Sequence, residues 1–149
     1  MVTRAPRTAD LGQHDLALTV QRLFAGLRRL SPPGISLSAA ATLATLEREG
    51  PQRLTELAGR EGVTQPAMTQ IVTRLERDAL AVRAADPADR RVVLVEITQA
   101  GRDLLRHRRA VRAERVGELL AGLDDADRTA ITAALPALHR LAERAAATA

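Results

Sequence analysis

Residues 64–77, TQPAMTQIVTRLER, combine amide, hydroxyl and guanidinium groups with a regular apolar spacing. Because an α-helix has about 3.6 residues per turn, a helix over this segment separates its apolar residues from its polar ones. The apolar face holds Met68, Ile71, Val72 and Leu75. The opposite face holds Pro66, Thr69, Gln70, Thr73 and Arg77. Such a helix can pack against its own domain while its polar face enters the major groove of duplex DNA.

The polar side chains of this helix suit different parts of a DNA duplex. Gln65 and Gln70 can present an amide to adenine, and Thr69 can bond to a base edge or contact a thymine methyl group. Arg74 and Arg77 suit the phosphate backbone. An ordinary amphipathic surface helix has the same pattern, so this helix by itself leaves DNA binding and a purely structural role equally favoured.

A second group of charged residues lies at the tip of a predicted β-hairpin. The segments 80–85 and 91–97 are predicted strands, and the run DPADR between them supplies turn residues. An arginine at this tip, Arg90 or Arg91, can enter the narrow minor groove beside the helix. We expect Asp89 to form a bidentate ion pair with Arg91 and to aim its guanidinium. The alternative is a solvated turn with a weak surface ion pair, which the preceding helices make the less favoured interpretation.

The residues before these two groups are predicted to form an arm and two helices. Residues 1–10 are small and basic and include a proline, which is typical of a disordered arm. Residues 11–30 place apolar side chains at intervals of three and four and predict a helix, which SPPG then interrupts. A second helix should begin at Ser36 or Ser38, because either side chain can cap its free amides.

Caps and breakers also delimit the remaining helices. A short helix over residues 54–60 and a turn through Gly62 lead into the helix that Thr64 caps. Beyond the hairpin, Thr98 is expected to cap a long helix and Asp124 a last one. Pro136 lies inside the apolar pattern of the last helix and should kink it or remove one of its hydrogen bonds.

The composition limits the classes of function. The chain has 149 residues, which favours one compact unit with extensions. Its 22 basic residues are all arginine, and the net charge of +4 permits an anionic partner without establishing one. Phe24 is the only aromatic residue, which disfavours a protein that stacks the bases of single strands.

Catalytic and metal-binding residues are not evident in the sequence. Cysteine is absent, and the three histidines lack metal-ligand spacing, so we expect neither a metal nor another cofactor. Because no Ser-His-Asp or paired-carboxylate arrangement can be singled out, we expect no enzyme activity. No run of about 18 apolar residues occurs, so a cytoplasmic protein without a membrane span is expected.

The order of these segments resembles the MarR family of winged-helix regulators. One match is TELAGREGVTQPAMTQIVTRLE, residues 55–76. The strongest match is DPADRRVVLVEITQAG, in which Asp89, Arg91 and Thr98 fit the family pattern of Asp, any residue, Arg and, seven positions on, a Thr that opens the next helix. The resemblance extends over about residues 11–144.

The resemblance implies a mostly α fold with a small β-wing. The winged helix-turn-helix DNA-binding domain would span residues 36–97, and residues 11–30 and 98–146 would form a helical dimerisation region. The protein would be a homodimer that binds double-stranded DNA as a transcription regulator, most simply a repressor. Its operator would be pseudo-palindromic, with half-sites about 34–36 Å apart.

The family's DNA contacts carry over to this chain residue by residue. They fall on Gln65, Ala67, Thr69 and Gln70 of the helix and on Arg91 of the wing, with Asp89 orienting Arg91. The predicted DNA-binding set, including the residues chosen from charge and position, is Thr64, Gln65, Pro66, Ala67, Thr69, Gln70, Thr73, Arg74, Arg77, Asp89, Arg90 and Arg91.

Two positions depart from the family pattern. Ala79 stands where the family usually has glycine between the helix and the wing, which would cost about 1 kcal/mol if the backbone there has a positive φ. Arg53 stands where a serine or threonine often caps the first helix of the motif, so that helix is expected to start irregularly.

The family resemblance also suggests control by a small molecule. An apolar or aromatic effector would lie against an aliphatic wall drawn from Leu23, Phe24, Leu27 and Leu43. The sequence leaves a second hypothesis open, in which the protein coats or compacts DNA without reading its sequence and without ligand control.

Overall fold

The computed structural model describes the backbone of residues 8–29 and 32–148 and the side chains of residues 12–29 and 32–145. The elements in these residues are α1 (Thr8–Arg29), α2 (Leu37–Glu49), β1 (Gln52–Arg53), α3 (Leu54–Arg60), α4 (Gln65–Arg77), β2 (Ala81–Ala85), β3 (Val93–Ile97), α5 (Gln99–Ala121) and α6 (Asp125–Thr148). The predicted fold class, mostly helical with a small β-wing, is therefore confirmed.

The chain divides into two compact units, Met1–Pro32 and Pro33–Ala149. The first unit contains α1, which begins at Thr8, inside the segment predicted as a disordered arm. Residues 1–7 of that predicted arm lie outside the described residues. The second unit contains all the other helices and the sheet.

Polar side chains determine where four of the helices begin. Ser36, Thr64, Thr98 and Asp124 each accept a hydrogen bond from the backbone N–H three residues later, at 3.1, 3.4, 3.1 and 2.8 Å. These bonds satisfy amide groups that have no partner within the helix. The predicted caps are therefore confirmed, with Ser36 rather than Ser38 capping α2.

Helix α3 begins without a capping hydroxyl, as expected from Arg53. The carboxylate of Glu56 compensates, because it accepts a hydrogen bond from the Arg53 backbone N–H at 3.1 Å. Residues Gln52–Arg53 also form β1, a short strand that the sequence patterns did not predict. Its pairing with β3 fixes the start of α3 against the sheet.

The three strands form one antiparallel sheet in the order β1-β3-β2. Strands β2 and β3 pair from Ala81 opposite Ile97 to Ala85 opposite Val93, which confirms the predicted hairpin. The core lies between this sheet and helices α2, α3, α4 and α5. Its largest fully buried apolar side chains are Leu43, Leu46, Leu57, Met68, Val72, Leu75 and Val95.

A left-handed turn joins α4 to β2. Ala79 has a φ of 57°, the only positive value at a non-glycine residue in the described part of the chain. The Leu80 N–H donates to the carbonyl oxygen of Leu75 at 2.8 Å and thereby closes the end of α4. The backbone conformation that glycine would favour is thus present, and alanine costs about 1 kcal/mol there.

The first turn of α5 packs tightly against this turn. Thr98 donates its backbone N–H to the Leu80 carbonyl oxygen at 3.1 Å and its hydroxyl to the Ala79 carbonyl oxygen at 2.8 Å. A Cβ at Gly101 would lie 2.3 Å from the Leu80 carbonyl oxygen and 2.8 Å from Cγ1 of Ile97. Only glycine allows α5 to approach the turn so closely.

Helix α6 continues through Pro136. Because proline has no N–H, the hydrogen-bond ladder of α6 lacks one bond at this residue. This is the loss of a hydrogen bond that the sequence predicts.

We expect Gly101→Ala to destabilise the protein by about 3 kcal/mol, because its Cβ would overlap backbone as well as side-chain atoms. Gly117→Ala in the same helix is the matched control. A Cβ there meets no atom within 4 Å, so better helix propensity should stabilise the protein by about 0.5–1 kcal/mol. Urea unfolding at one protein concentration measures both changes, and equal midpoints for the two variants would contradict the close packing.

We expect Ala79→Gly to stabilise the protein by about 1 kcal/mol, because glycine adopts a φ of 57° without strain. The control is Ala110→Gly, at an exposed position inside α5, which should destabilise by about 1 kcal/mol. The same urea measurement compares them, and a loss of stability in Ala79→Gly would show that the turn is not strained.

Candidate nucleic-acid interface

Helix α4, here called the recognition helix, has one buried and one exposed face. Met68, Val72 and Leu75 are buried in the core, and Ile71 is half-buried at its edge. The exposed residues are Gln65, Pro66, Thr69, Gln70, Thr73, Arg74 and Arg77, and Ala67 is half-buried. The predicted division into an apolar and a polar face is confirmed.

The N-terminal turn of the recognition helix is ordered and open to solvent. Thr64 caps it, and Pro66 lies in the first turn, where its missing N–H removes no helix bond. The hydroxyl of Thr69 donates to the Gln65 carbonyl oxygen at 2.9 Å, so its methyl group is available at the surface. The side chains of Gln65 and Gln70 have no hydrogen-bond partner in the described residues, which leaves their amides available to a ligand.

Helices α2 and α3 pack against the buried face of the recognition helix. Thr42 of α2 is fully buried, and its hydroxyl, which donates to the Ser38 carbonyl oxygen at 2.9 Å, lies 3.9 Å from the sulfur of Met68. The turn from α3 to α4 passes through Gly62 at a φ of 62°, and the Val63 N–H donates to the Ala58 carbonyl oxygen at 3.0 Å. These contacts fix the helix-turn-helix geometry that the sequence predicts.

The wing consists of β2, β3 and the turn of residues 86–92 between them. The Val92 N–H donates to the Asp89 carbonyl oxygen at 2.9 Å, and the Asp86 N–H donates to the Val92 carbonyl oxygen at 2.9 Å. Arg90 and Arg91 occupy the two central positions of the inner turn, and both are exposed. The wing therefore carries two consecutive exposed arginines at its tip.

Asp89 acts on the backbone of the turn rather than on a guanidinium. Its carboxylate accepts a hydrogen bond from the Arg91 backbone N–H at 3.0 Å. The bidentate ion pair predicted between the two side chains is not formed in the described structure. An aspartate at the first position of a turn commonly bonds to the N–H two residues on, and this local bond competes with the ion pair.

The cations of this surface differ in their partners. The side chains of Arg74, Arg90 and Arg91 form no ion pair or hydrogen bond among the described residues. Arg77 binds Asp78 through Nε at 3.1 Å. The three unpaired cations are therefore free to bind anions.

Sequence reasoning missed an ion pair between the recognition helix and the wing. Arg83 of β2 places a guanidinium nitrogen 2.5 Å from a carboxylate oxygen of Glu76 on α4. The two residues belong to different kinds of secondary structure, so neither helical nor strand periodicity brings them together. Only the observed path of the α4–β2 turn could have revealed the pair.

Several arginines of helix α5 bind other groups within the protein. Arg109 binds Glu47 of α2, and Arg106 binds Asp103 within α5. Arg108 is buried and donates to the Pro33 carbonyl oxygen at 3.5 Å. Burial lowers the pKa of the Arg108 guanidinium, and the charge of Arg112 lowers it further.

The four residues predicted to line a ligand pocket have different environments. Leu43 has no exposed surface and belongs to the core, so a ligand could reach it only if the core opened. In the first unit, Leu23 and Phe24 are exposed and Leu27 is half-buried. A cleft of about 360 Å³ lies elsewhere, between the start of α2 and the recognition helix. The predicted pocket stays a prediction.

The described residues contain no cluster of three or more histidine, cysteine or acidic side chains that could hold a metal ion. None of the helices in this part of the chain is both long and apolar enough to cross a membrane.

Comparison with known proteins agrees with this geometry. The family model described as MarR family matches residues 35–93. The Mycobacterium bovis protein Mb0904, named as an uncharacterized HTH-type transcriptional regulator, is 37% identical over 121 residues, which are 80% of this chain and 85% of the relative. The Bacillus subtilis HTH-type transcriptional repressor MdtR is 29% identical, with 72% and 75% of the two chains covered.

Solved structures show the same fold over nearly the whole chain. RV1404 from Mycobacterium tuberculosis has a TM-score of 0.77 and 28% identity, covering 93% of this chain and 97% of that one. BpsR from Bordetella bronchiseptica, whose DNA binding is regulated by 6-hydroxynicotinic acid, has a TM-score of 0.60 and 25% identity, covering 91% and 98%. The chain belongs to the MarR family of DNA-binding transcriptional regulators and is not an enzyme.

Proposed function

We propose that the protein is a homodimeric repressor that reads a pseudo-palindromic operator through a two-part reading head. The reading head consists of the exposed face of α4 and the wing tip, residues 86–92. The observation that carries the proposal is their combination in one unit, with unpaired polar groups on the helix and two exposed arginines on the wing. A major-groove helix beside a minor-groove arginine is an established way to read duplex DNA.

The two parts of the head have separate roles in this proposal. Gln65 and Gln70 bind base edges in the major groove, where amide groups recognise adenine. Arg91 enters the minor groove, and Arg90 binds a phosphate close by. Arg74 supplies a further phosphate contact, since it has no partner of its own in the described structure.

Exposed apolar side chains support a dimer. In the first unit, Leu16, Val20, Leu23 and Phe24 of α1 are all exposed. In the second unit, α6 exposes a row of apolar residues at intervals of three and four, namely Ile131, Leu135, Leu138 and Leu141. Stripes of this kind are typical of surfaces that a partner covers. A second copy of the chain is the proposed partner, and sedimentation velocity measures its presence.

Repression and control by a small molecule are supported by relatives rather than by a visible site. MdtR is named a repressor, and 6-hydroxynicotinic acid, a pyridine carboxylic acid, regulates the DNA binding of BpsR. We propose that an apolar or aromatic effector releases this protein from DNA by altering the relative positions of the two recognition helices in the dimer.

The alternative, a protein that coats DNA without reading sequence, predicts a different binding pattern. Selection of bound sequences from random duplex DNA should return one motif with two half-sites about one helical turn apart. Uniform recovery of sequences, with affinity that depends on salt alone, would favour the coating protein instead.

We expect Arg91→Ala to weaken binding to the selected operator about tenfold, because one minor-groove cation is lost. Fluorescence anisotropy at moderate salt measures the affinity, while sedimentation and circular dichroism should show an unchanged dimer and helix content. Arg140→Ala removes the same charge from the exposed surface of α6 and serves as the control. Equal affinities of the two variants would contradict the proposed role of the wing.

We expect Gln70→Ala to relax base preference at one position in each half-site, with a discrimination loss of about 1–3 kcal/mol. Binding to operators substituted at each position in turn measures this change. Gln99→Ala, which shortens a glutamine at the start of α5, should leave the whole preference profile unaltered. Preferences that stay the same in Gln70→Ala would remove this residue from the proposed contacts.

A further inference from the structure

A carboxylate lies at the edge of the proposed reading head, where negative charge should oppose binding to DNA. Glu76 is in the last turn of the recognition helix, next to the buried Leu75. Phosphates close to an acidic side chain are repelled by it. Glu76 is therefore unfavourable for the proposed function unless a cation within the protein pairs with its carboxylate.

In the structure, Arg83 of β2 pairs with the carboxylate of Glu76. Arg83 lies two residues after the buried Ala81, so its side chain shares the sheet face that packs against the domain. From there its guanidinium reaches Glu76 at 2.5 Å, and the two side chains are only 36% and 27% exposed. Partial burial and a short distance make this pair more restrained than a freely solvated one.

The pair joins the two parts of the reading head. Among the residues whose side chains are described, it is the one side-chain hydrogen bond or ion pair between α4 and a strand of the wing. The base of the wing is fixed by the sheet and the core, through Ala81 and Val95. The outer half of the hairpin, by contrast, carries the exposed residues Ala85 and Val93.

We infer that Glu76 and Arg83 are positioning residues that hold the wing at a fixed angle to the recognition helix. The pair thereby sets the distance between the bases read in the major groove and the minor-groove step entered by Arg91. This inference rests on the proposed function, because it requires both parts of the head to bind one DNA duplex. Its consequence is that the wing contact contributes fully to affinity only while the pair is intact.

The test compares the penalty of Arg91→Ala in two backgrounds by anisotropy with the selected operator duplex. In the wild-type background the penalty should be about tenfold, and in the Glu76→Gln background about threefold or less. A side chain that contributes only to stability would lower the melting temperature without changing this ratio. The charge-swapped variant Glu76→Arg/Arg83→Glu should restore the full penalty, since it rebuilds the pair in the opposite sense.

Asp78→Asn is the matched control. It removes the same charge from the same end of α4, and with it the ion pair with Arg77, but it leaves the link to the wing in place. The penalty of Arg91→Ala should therefore stay about tenfold in this background.

Three results would overturn the inference. An equal penalty of Arg91→Ala in the wild-type and Glu76→Gln backgrounds would overturn it while leaving the proposed function intact. Tighter DNA binding by Glu76→Gln, beyond that of Asp78→Asn, would show that Arg83 contacts DNA directly and that Glu76 competes with it. An absent penalty in the wild-type background would overturn the inference together with the proposed role of the wing.

Discussion

The close contact between the α4–β2 turn and the first turn of α5 is the constraint on which the rest of the structure depends. At this point the recognition helix ends, the wing begins and the long helix α5 starts. Thr98 binds the carbonyl oxygens of both Ala79 and Leu80. The two segments lie so close together that there is no room for a side chain at position 101, where the chain has glycine. A shift of α5 must therefore move the recognition helix and the base of the wing together, because tightly packed backbone does not deform gradually.

This contact explains why a strained residue is tolerated at Ala79. The left-handed backbone there directs the chain from the end of α4 into β2 and turns two carbonyl oxygens toward Thr98. The strain of about 1 kcal/mol is comparable to what one hydrogen bond typically contributes. The two bonds to Thr98 can therefore offset it, and the turn remains ordered without the glycine that the family usually has.

The sequence predicted well those elements whose ends depend on residues only a few positions away in the chain. Ser36, Thr64, Thr98 and Asp124 cap helices through bonds to residues three positions away, so the sequence alone locates those helix starts. Strand β1 was missed because two residues carry no periodicity, and pairing with β3 creates the strand. The ion pair predicted for Asp89 was wrong because its carboxylate accepts from the backbone N–H of Arg91 instead of binding the guanidinium. The pair of Glu76 with Arg83 depends on the α4–β2 turn and has no local signal at all.

In the proposed reading head, different side chains would supply affinity and specificity. Arginines that could bind DNA elsewhere, such as Arg106 and Arg109 on α5, are paired with acidic residues, whereas Arg74, Arg90 and Arg91 have no such pair among the described residues. Cations bound to phosphates supply affinity that falls steeply with salt, but they carry little sequence information. In the proposed reading head, the neutral amides of Gln65 and Gln70 would contribute little attraction at long range and would discriminate between bases at contact. Because both kinds of group lie in one unit, we expect salt to weaken binding by the proposed reading head without changing which sequence it prefers.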